Sequence, residues 1–199
     1  MITPIDSGKA TQLSEARISF DEENLYIAII FFNTSIQGDY IIESLKRDFS
    51  FGKNDNFLVA IDPFNNQNTG FAFGLNTYGA QWDGTMYNGR NVDLNWDTKW
   101  YSEVKFDKKK WICEIAIPFK SIRYDKAITE WGINFSRLDL KASEKSSWAN
   151  QNTGFAFGLN TYGAQWDGTM YNGRNVDLNW DTKWYSEVKF DKFTLVGLI

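Results

Sequence analysis

The chain has 199 residues, with 21 Lys and Arg against 25 Asp and Glu, a formal net charge of −4, one cysteine, three prolines and no histidine. Without imidazole it cannot build a Ser-His-Asp or Cys-His catalytic unit, a histidine zinc site or a histidine proton shuttle, and one cysteine cannot close an internal disulfide. The mild acidity gives no electrostatic reason to expect a nucleic-acid partner, because phosphate binding rests on clustered Lys and Arg.

An apolar content of 43% is enough to bury one real core. No window approaches 18 consecutive apolar residues, so no membrane span is expected. The start, MITPIDSGKA, has neither the basic segment nor the apolar stretch of a secretory leader. Residues 17–20, the polar turn 21–24 and residues 25–32 then read as strand, turn and strand. The second strand is apolar at nearly every position, which suits burial on both faces or a central place in a sandwich. Residues 39–48 form a short helix candidate. Residues 57–62 read as an apolar strand that ends in the Asn-rich turn 63–68.

Residues 70–76 alternate, with Phe71, Phe73 and Leu75 opposite Ala72, Gly74 and Asn76, so a sheet with one packed face and one thin face is expected. After the turn Thr77-Tyr78-Gly79, residues 80–87 continue as a strand with Trp82, Gly84 and Met86 opposite Gln81, Asp83, Thr85 and Tyr87; residues 88–98 read as a polar loop. Residues 100–106 and 111–117 flank Asp107-Lys108-Lys109-Lys110 as a hairpin, in which Trp111, Cys113, Ile115 and Ile117 share a face opposite Glu114. Cys113 reads as a small buried hydrophobe, and the lysine-rich tip as a solvated one. Pro118 offers no ladder donor and ends the strand. Residues 119–123 read as a single helical turn and residues 131–140 as a further strand.

Residues 66–108 recur without a change as residues 150–192. Natural repeats drift, because each copy meets different neighbours, so complete identity marks a very recent duplication or an artefact of assembly. Two copies also fall short of a stacked array. Six of the nine tryptophans (Trp82, Trp96, Trp100, Trp166, Trp180 and Trp184) belong to the duplicated material. The first copy runs directly into its hairpin partner at 111–117, so its loop closure is local. The expectation is therefore a body over residues 1–149, with 66–108 in the native slot. Residues 150–199, a spare hairpin with an apolar tail, then form no independent domain and invite domain swapping through the duplicated segment.

Many short strands separated by turn signals argue for an all-β fold, an antiparallel β-sandwich, with a closed barrel as the alternative. The strings DNFLVAIDPFNNQNTGFAFGLNTYGAQWDGTMYN, NWDTKWYSEVKFDKKKWICEIAIPFKSIRY and WGINFSRLDLKASEKSSW, preceded by EARISFDEENLYIAIIFF, resemble a known family. It is the carbohydrate-binding domain related to family 9 modules, found at the N-terminus of large bacterial envelope proteins. The resemblance spans about residues 14–148 and rests on the D-P turn, the TGFAF strand, the W-D-x-x-W loop and the I-P-F element. It implies a jelly-roll or immunoglobulin-like sandwich and non-catalytic recognition of a sugar or polysaccharide. It also implies an extracellular, periplasmic or outer-membrane-associated setting, and calcium, which some members bind. Two departures stand out. The family's opening Asp-Gly and buried Trp are missing before Met1, so a sandwich truncated at the N-terminus is expected. After Trp148 the chain jumps into the repeat and ends in an apolar tail that reads as a junction remnant.

Sugar recognition needs flat aromatic faces against the C–H face of a pyranose, with amides, carboxylates or Arg around them. Trp82-Asp83, Tyr87-Asn88, Arg90-Asn91 and Trp96-Asp97 supply that pattern within sixteen residues and form the expected ligand site. The competing reading makes Trp82 and Trp100 core residues. For calcium, Asp55, Asp62, Asp83 and Asp97 offer oxygens, but their spacing matches no EF-hand loop and suits turn-forming Asp. Glu103 and Glu114 could supply the two carboxylates of a glycosidase fragment, yet their Lys-rich surroundings read as a solvated face. A structural or interaction sandwich of an envelope protein without a sugar ligand is the remaining alternative.

Overall fold

The structure is a computed structural model. It describes residues 2–3, 10–33, 40–89, 91–107, 109–128, 130–147, 153–159, 165–171, 174–175 and 195–198. In chain order the strands are β1 (Ile2–Thr3), β2 (Ser14–Phe20), β3 (Asn24–Phe32), β4 (Asn56–Asp62), β5 (Gly70–Asn76), β6 (Gln81–Tyr87), β7 (Asn91–Asp93), β8 (Tyr101–Phe106), β9 (Lys110–Pro118), β10 (Gly132–Asp139), β11 (Glu144–Ser147), β12 (Thr153–Leu159), β13 (Gln165–Tyr171), β14 (Arg174–Asn175) and β15 (Leu195–Leu198). They form a seven-stranded sheet in the order β1-β11-β10-β4-β5-β6-β7, a five-stranded sheet in the order β15-β2-β3-β9-β8, and a separate three-stranded sheet, β12-β13-β14.

The alternation of residue types dictates how the two larger sheets meet. On β3 the inward residues are Leu25, Ile27, Ile29 and Phe31, which pair across the ladder with Ile117, Ile115, Cys113 and Trp111 of β9. Facing them are Phe57, Val59 and Ile61 of β4, Phe71, Phe73 and Leu75 of β5, and Phe135 of β10, all in one buried cluster. Phe31 stacks on Trp111 with ring centroids 4.0 Å apart and reaches across to Phe57 at 5.3 Å. Each such side chain contributes about 1.5–3 kcal/mol by leaving water. The result is the antiparallel β-sandwich expected from the sequence.

Several local expectations need correction. The strand at 25–32 is central in its sheet but buries one face only: Tyr26 is exposed, and Ala28 and Ile30 are half-buried on the open outer side. Conversely, β5 has no thin face, because all seven of its residues are buried. A strap over residues 40–55 covers the outer side of β5 and β6, packing Phe49 and Phe51 against Ala72, Ala80 and Trp82. The glycine at 74 permits this, since a Cβ there would lie 3.0 Å from the Phe57 carbonyl oxygen and 3.4 Å from the Trp82 ring.

Within the strap, residues 40–48 are not helical. Distant side chains claim their backbone: Asp55 accepts the Ile41 N–H (2.7 Å), Asn54 accepts those of Glu43 and Ser44, and Asn76 donates to the Ser44 carbonyl. Such bonds compete with the helical ladder. The loop at 88–98 contains β7, whose Val92 lies so close over Gly84 that a Cβ there would sit 2.6 Å from it. Residues Phe119–Ser121 do form one 3-10 turn.

Arg137 of β10 crosses between the sheets. Its guanidinium donates to the carbonyls of Leu13 and Phe32 and to Ser14 Oγ at 3.3 Å, and to Asn33 and Asp139 at 3.1 Å. At the far edge of the five-stranded sheet, β15 of the apolar tail pairs antiparallel with β2, Leu195 opposite Ile18. The tail read as a junction remnant is thus a ladder partner. In the repeated segment, β12 and β13 keep the register of β5 and β6, with Phe155 opposite Thr169 as Phe71 is opposite Thr85. The third strand is shifted by one: Tyr171 faces Arg174, where Tyr87 faces Asn91.

Replacing Arg137 with Met leaves several buried acceptors without a donor. The expected loss is about 3 kcal/mol, read as a lower urea midpoint, whereas Lys105→Ala on the open sheet face should stay within about 0.5 kcal/mol.

Candidate functional site

The residues singled out from the sequence fall into separate environments. Trp82 points to the strap side of β6, 5.2 Å from Phe51 and 7% exposed. Asp83 points to the opposite side and is buried; it accepts the Thr98 N–H at 3.0 Å and pairs with Arg47. Burial pushes the Asp83 carboxyl above the usual carboxylate range, against the opposing pull of the Thr98 hydrogen bond and the Arg47 charge. The same guanidinium meets Asp97, the Thr98 carbonyl (2.9 Å) and Gln81 (2.8 Å). Asp83 and Asp97 are therefore brought together, through a cation supplied by the strap. Trp96 lies half-buried against Phe71 at 5.0 Å, and Trp100 is buried against Phe73 at 5.4 Å.

Tyr87, Asn88 and Asn91 are exposed at the β6–β7 turn, where Asn88 and Gly89 adopt φ of 53° and 68°. Arg90 lies outside the described residues. The Gly89 N–H donates to the Asn68 carbonyl at 2.9 Å and so ties this turn to the loop after β4. In that loop Asp62 accepts the N–H groups of Phe64, Asn66 and Gln67, while Asn66 accepts those of Asn68 and Thr69. Asn65 and Gln67 are held in the left-handed region. This end of the sandwich thus carries amide side chains on loops fixed by their own hydrogen bonds.

Sequence reasoning missed an aromatic cluster at the same end. Gly132 pairs with Asp62, which sets the preceding Trp131 beside the loop. Trp131 meets Tyr124 at 5.3 Å and Phe119 edge-on at 5.8 Å, and Phe119 meets Tyr124 at 6.1 Å. Centroids this close leave no room for a guest between the rings, so the cluster offers its outer surfaces, chiefly Tyr124 at 37% exposed and the flank of Trp131. The signal available in the sequence was an I-P-F element followed by Tyr124 and Trp131, read there as a helical turn and a strand start.

The carboxylates considered for calcium are otherwise engaged. Asp62 caps its loop, Asp83 and Asp97 hold Arg47, and Asp55 accepts the Ile41 and Leu140 N–H groups. Among the described residues no three His, Cys, Asp or Glu side chains are grouped to hold a metal ion. Glu103 and Glu114 face each other across β8 and β9 on the exposed side of the sheet. Cys113 is buried, and burial pushes its thiol far up. Among the described residues no helix is long and apolar enough to cross a membrane.

No protein-family profile matches the sequence, and no curated protein matches it. Solved structures do. A putative carbohydrate-binding protein from Bacteroides uniformis aligns with a TM-score of 0.52 and 11% identity over 68% of each chain. A family 9 carbohydrate-binding module from Caldicellulosiruptor kristjanssonii in complex with glucose aligns with a TM-score of 0.50 and 13% identity, over 87% of this chain and 83% of that one. The module in complex with cellotriose aligns at 0.47 and 11%, over 71% of this chain and 66% of that one. The chain thus spans about two thirds of the length of two of these structures. At such identities the similarity is one of fold.

The raised Asp83 carboxyl makes a signed prediction. Unfolded, it ionises near 3.8; folded, it ionises higher, so stability falls as pH rises from the first value through the second. The stability of the native chain relative to Asp83→Asn should therefore decline across that interval in urea titrations, then level off.

Proposed function

We propose that the chain is a non-catalytic carbohydrate-binding module. The observation that carries this reading is the aromatic cluster of Phe119, Tyr124 and Trp131, set at the same sandwich end as Tyr87 and the amide-bearing loops. Both structures at TM-scores of 0.50 or above are described as carbohydrate-binding, one of them in complex with glucose. Tyr124 and the flank of Trp131 take the C–H face of a pyranose, while Asn66, Asn68, Asn88 and Asn91 bond its hydroxyls, with Tyr87 at the rim. Trp96 packs on Phe71 and Phe73 of β5 and serves the core. Trp82, Asp83 and Asp97 position the loops rather than touch the ligand.

The setting that goes with this reading is a secreted or envelope protein, whose catalytic work lies in other regions. Residues 1–149 form the binding body, and residues 150–199 an appendage through which strands can be exchanged between molecules. Limited proteolysis read by mass spectrometry should cut within residues 150–192 well before it cuts between 14 and 147. Simultaneous cleavage in both would assign the repeat to the body.

For the binding itself, native affinity electrophoresis through gels holding soluble neutral polysaccharides is expected to retard the protein. Trp131→Ala and Tyr124→Ala should each weaken retention by about tenfold, as expected for loss of an anchoring aromatic contact of one to two kcal/mol, with an unchanged circular dichroism spectrum. Unhindered migration through every polysaccharide tried would favour the ligand-free structural sandwich, and release of reducing sugar would point to a hydrolase.

A further inference from the structure

The turn that carries Phe119 has little of its own to hold it. It is a single 3-10 turn, Phe119–Ser121, preceded by Pro118 with no side-chain cap, and its internal bond, from the Ile122 N–H to the Phe119 carbonyl, is 3.4 Å long. Such turns have poor hydrogen-bond geometry, so their surroundings fix them. One anchor lies on the first residue, whose N–H donates to the Glu23 carbonyl at 2.8 Å. The other lies on the last: Ser121 Oγ donates to the Lys99 carbonyl at 2.7 Å, and the Ser121 carbonyl accepts from Thr98 Oγ1 at 3.2 Å.

Thr98 is itself held at every polar atom. Its N–H donates to Asp83 at 3.0 Å, its carbonyl accepts from Arg47 at 2.9 Å, and its hydroxyl donates to the Ser121 carbonyl. Asp83 is buried on β6 of the seven-stranded sheet, and Arg47 belongs to the strap. Neighbouring Trp96 seats the same loop on Phe71 and Phe73. Loop 96–99 is therefore a fixed support, and the Thr98–Ser121 pair fastens the ring-bearing turn to it. Phe119 in turn meets Tyr124 at 6.1 Å and Trp131 at 5.8 Å, both edge-on, so a displacement of Phe119 passes to the two rings that face the ligand.

We infer that Thr98 and Ser121 are positioning residues of the carbohydrate site: neither touches the sugar, and their reciprocal bonds set the pose of Tyr124 and Trp131 and so the affinity. The inference rests on the carbohydrate-binding reading and adds that affinity is governed from loop 96–99, which supplies none of the contacting side chains. Rings held in the binding pose before the ligand arrives lose less entropy when it does. A cross-link serving stability alone would use the same two bonds. The roles differ in what they change: a structural bond lowers the unfolding midpoint, whereas a positioning bond also weakens binding by protein that is still folded.

The full chain is run in native gels holding hydroxyethylcellulose, laminarin or galactomannan, and the polymer that retards it most is used for the variants, each compared with its own mobility in a plain gel. Thr98→Val keeps the side-chain shape and the backbone bonds of the loop but removes the hydroxyl. It should weaken retention about fivefold, and Ser121→Ala should do likewise. Thr98→Ser, which restores the hydroxyl, should bring retention back to within about twofold of the native chain. Ser14→Ala serves as the comparison: it removes an acceptor of Arg137 beside Phe31 and Trp111, at the far end of the sandwich, and should lower the urea midpoint without weakening retention. Undiminished retention of Thr98→Val and Ser121→Ala overturns the inference and leaves the carbohydrate-binding reading standing. So does a loss that Thr98→Ser fails to rescue or that Ser14→Ala reproduces. Retardation of the native chain by none of the three polymers overturns both. Ser121→Ala, set against Ser14→Ala, decides the matter if Thr98→Val fails to fold.

Discussion

A single buried guanidinium sets how the two sheets lie on each other. Taking a cation out of water costs several kcal/mol, and the cost is recovered only when its donors are nearly all satisfied in good geometry. Arg137 meets that condition by drawing acceptors from both sheets: Leu13, Ser14, Phe32 and Asn33 from the β2–β3 side and Asp139 from its own strand. Sliding one sheet by a residue would break several of these bonds together. The guanidinium also lies over the Phe31 ring, at 5.4 Å, and Phe31 in turn stacks on Trp111 and touches Phe57. A polar constraint thereby fixes the register of an apolar core that would otherwise tolerate several.

The turns share one device. Asp21, Asp62, Asn66, Asn76 and Asp107 each accept backbone N–H groups from residues two to five positions ahead. Short polar side chains close turns in this way because they reach their own backbone without leaving solvent. Two consequences follow. Acidic residues that look available for a metal are spent on the chain itself, and Tyr78, carried on the Asn76 turn, is held in place by that turn's own hydrogen bonds.

The period-two alternation made most of the sandwich legible: β2, β3, β4, β5, β9 and β10 all lie within a few residues of where residue types alone put them. The strap was not legible, because Ile41, Glu43 and Ser44 bond to Asp55 and Asn54, ten or more positions away, and its apolar residues follow no single period. Trp82 shows the same limit. Alternation placed it opposite Asp83, correctly, but could not show that Phe49 and Phe51 close over it. The Phe119–Tyr124–Trp131 cluster was hidden for a different reason: its members belong to separate local elements and meet only when the sheet aligns Gly132 with Asp62.

The duplicated segment shows how far sequence alone determines structure. Residues 66–108 and 150–192 are identical, and the first strand pair of each has one register, since its residues are carried within the segment. The third strand differs by one residue in its register. What distinguishes the copies lies outside them. Arg47, Phe51 and Trp111 occur once in the chain, and all three are engaged in the sandwich built on the first copy: Arg47 on Asp83 and Asp97, Phe51 on Trp82, and Trp111 opposite Phe106. The last turn of strand placement in this fold is therefore set by single-copy partners. A second set of identical strands cannot reproduce it without displacing the first.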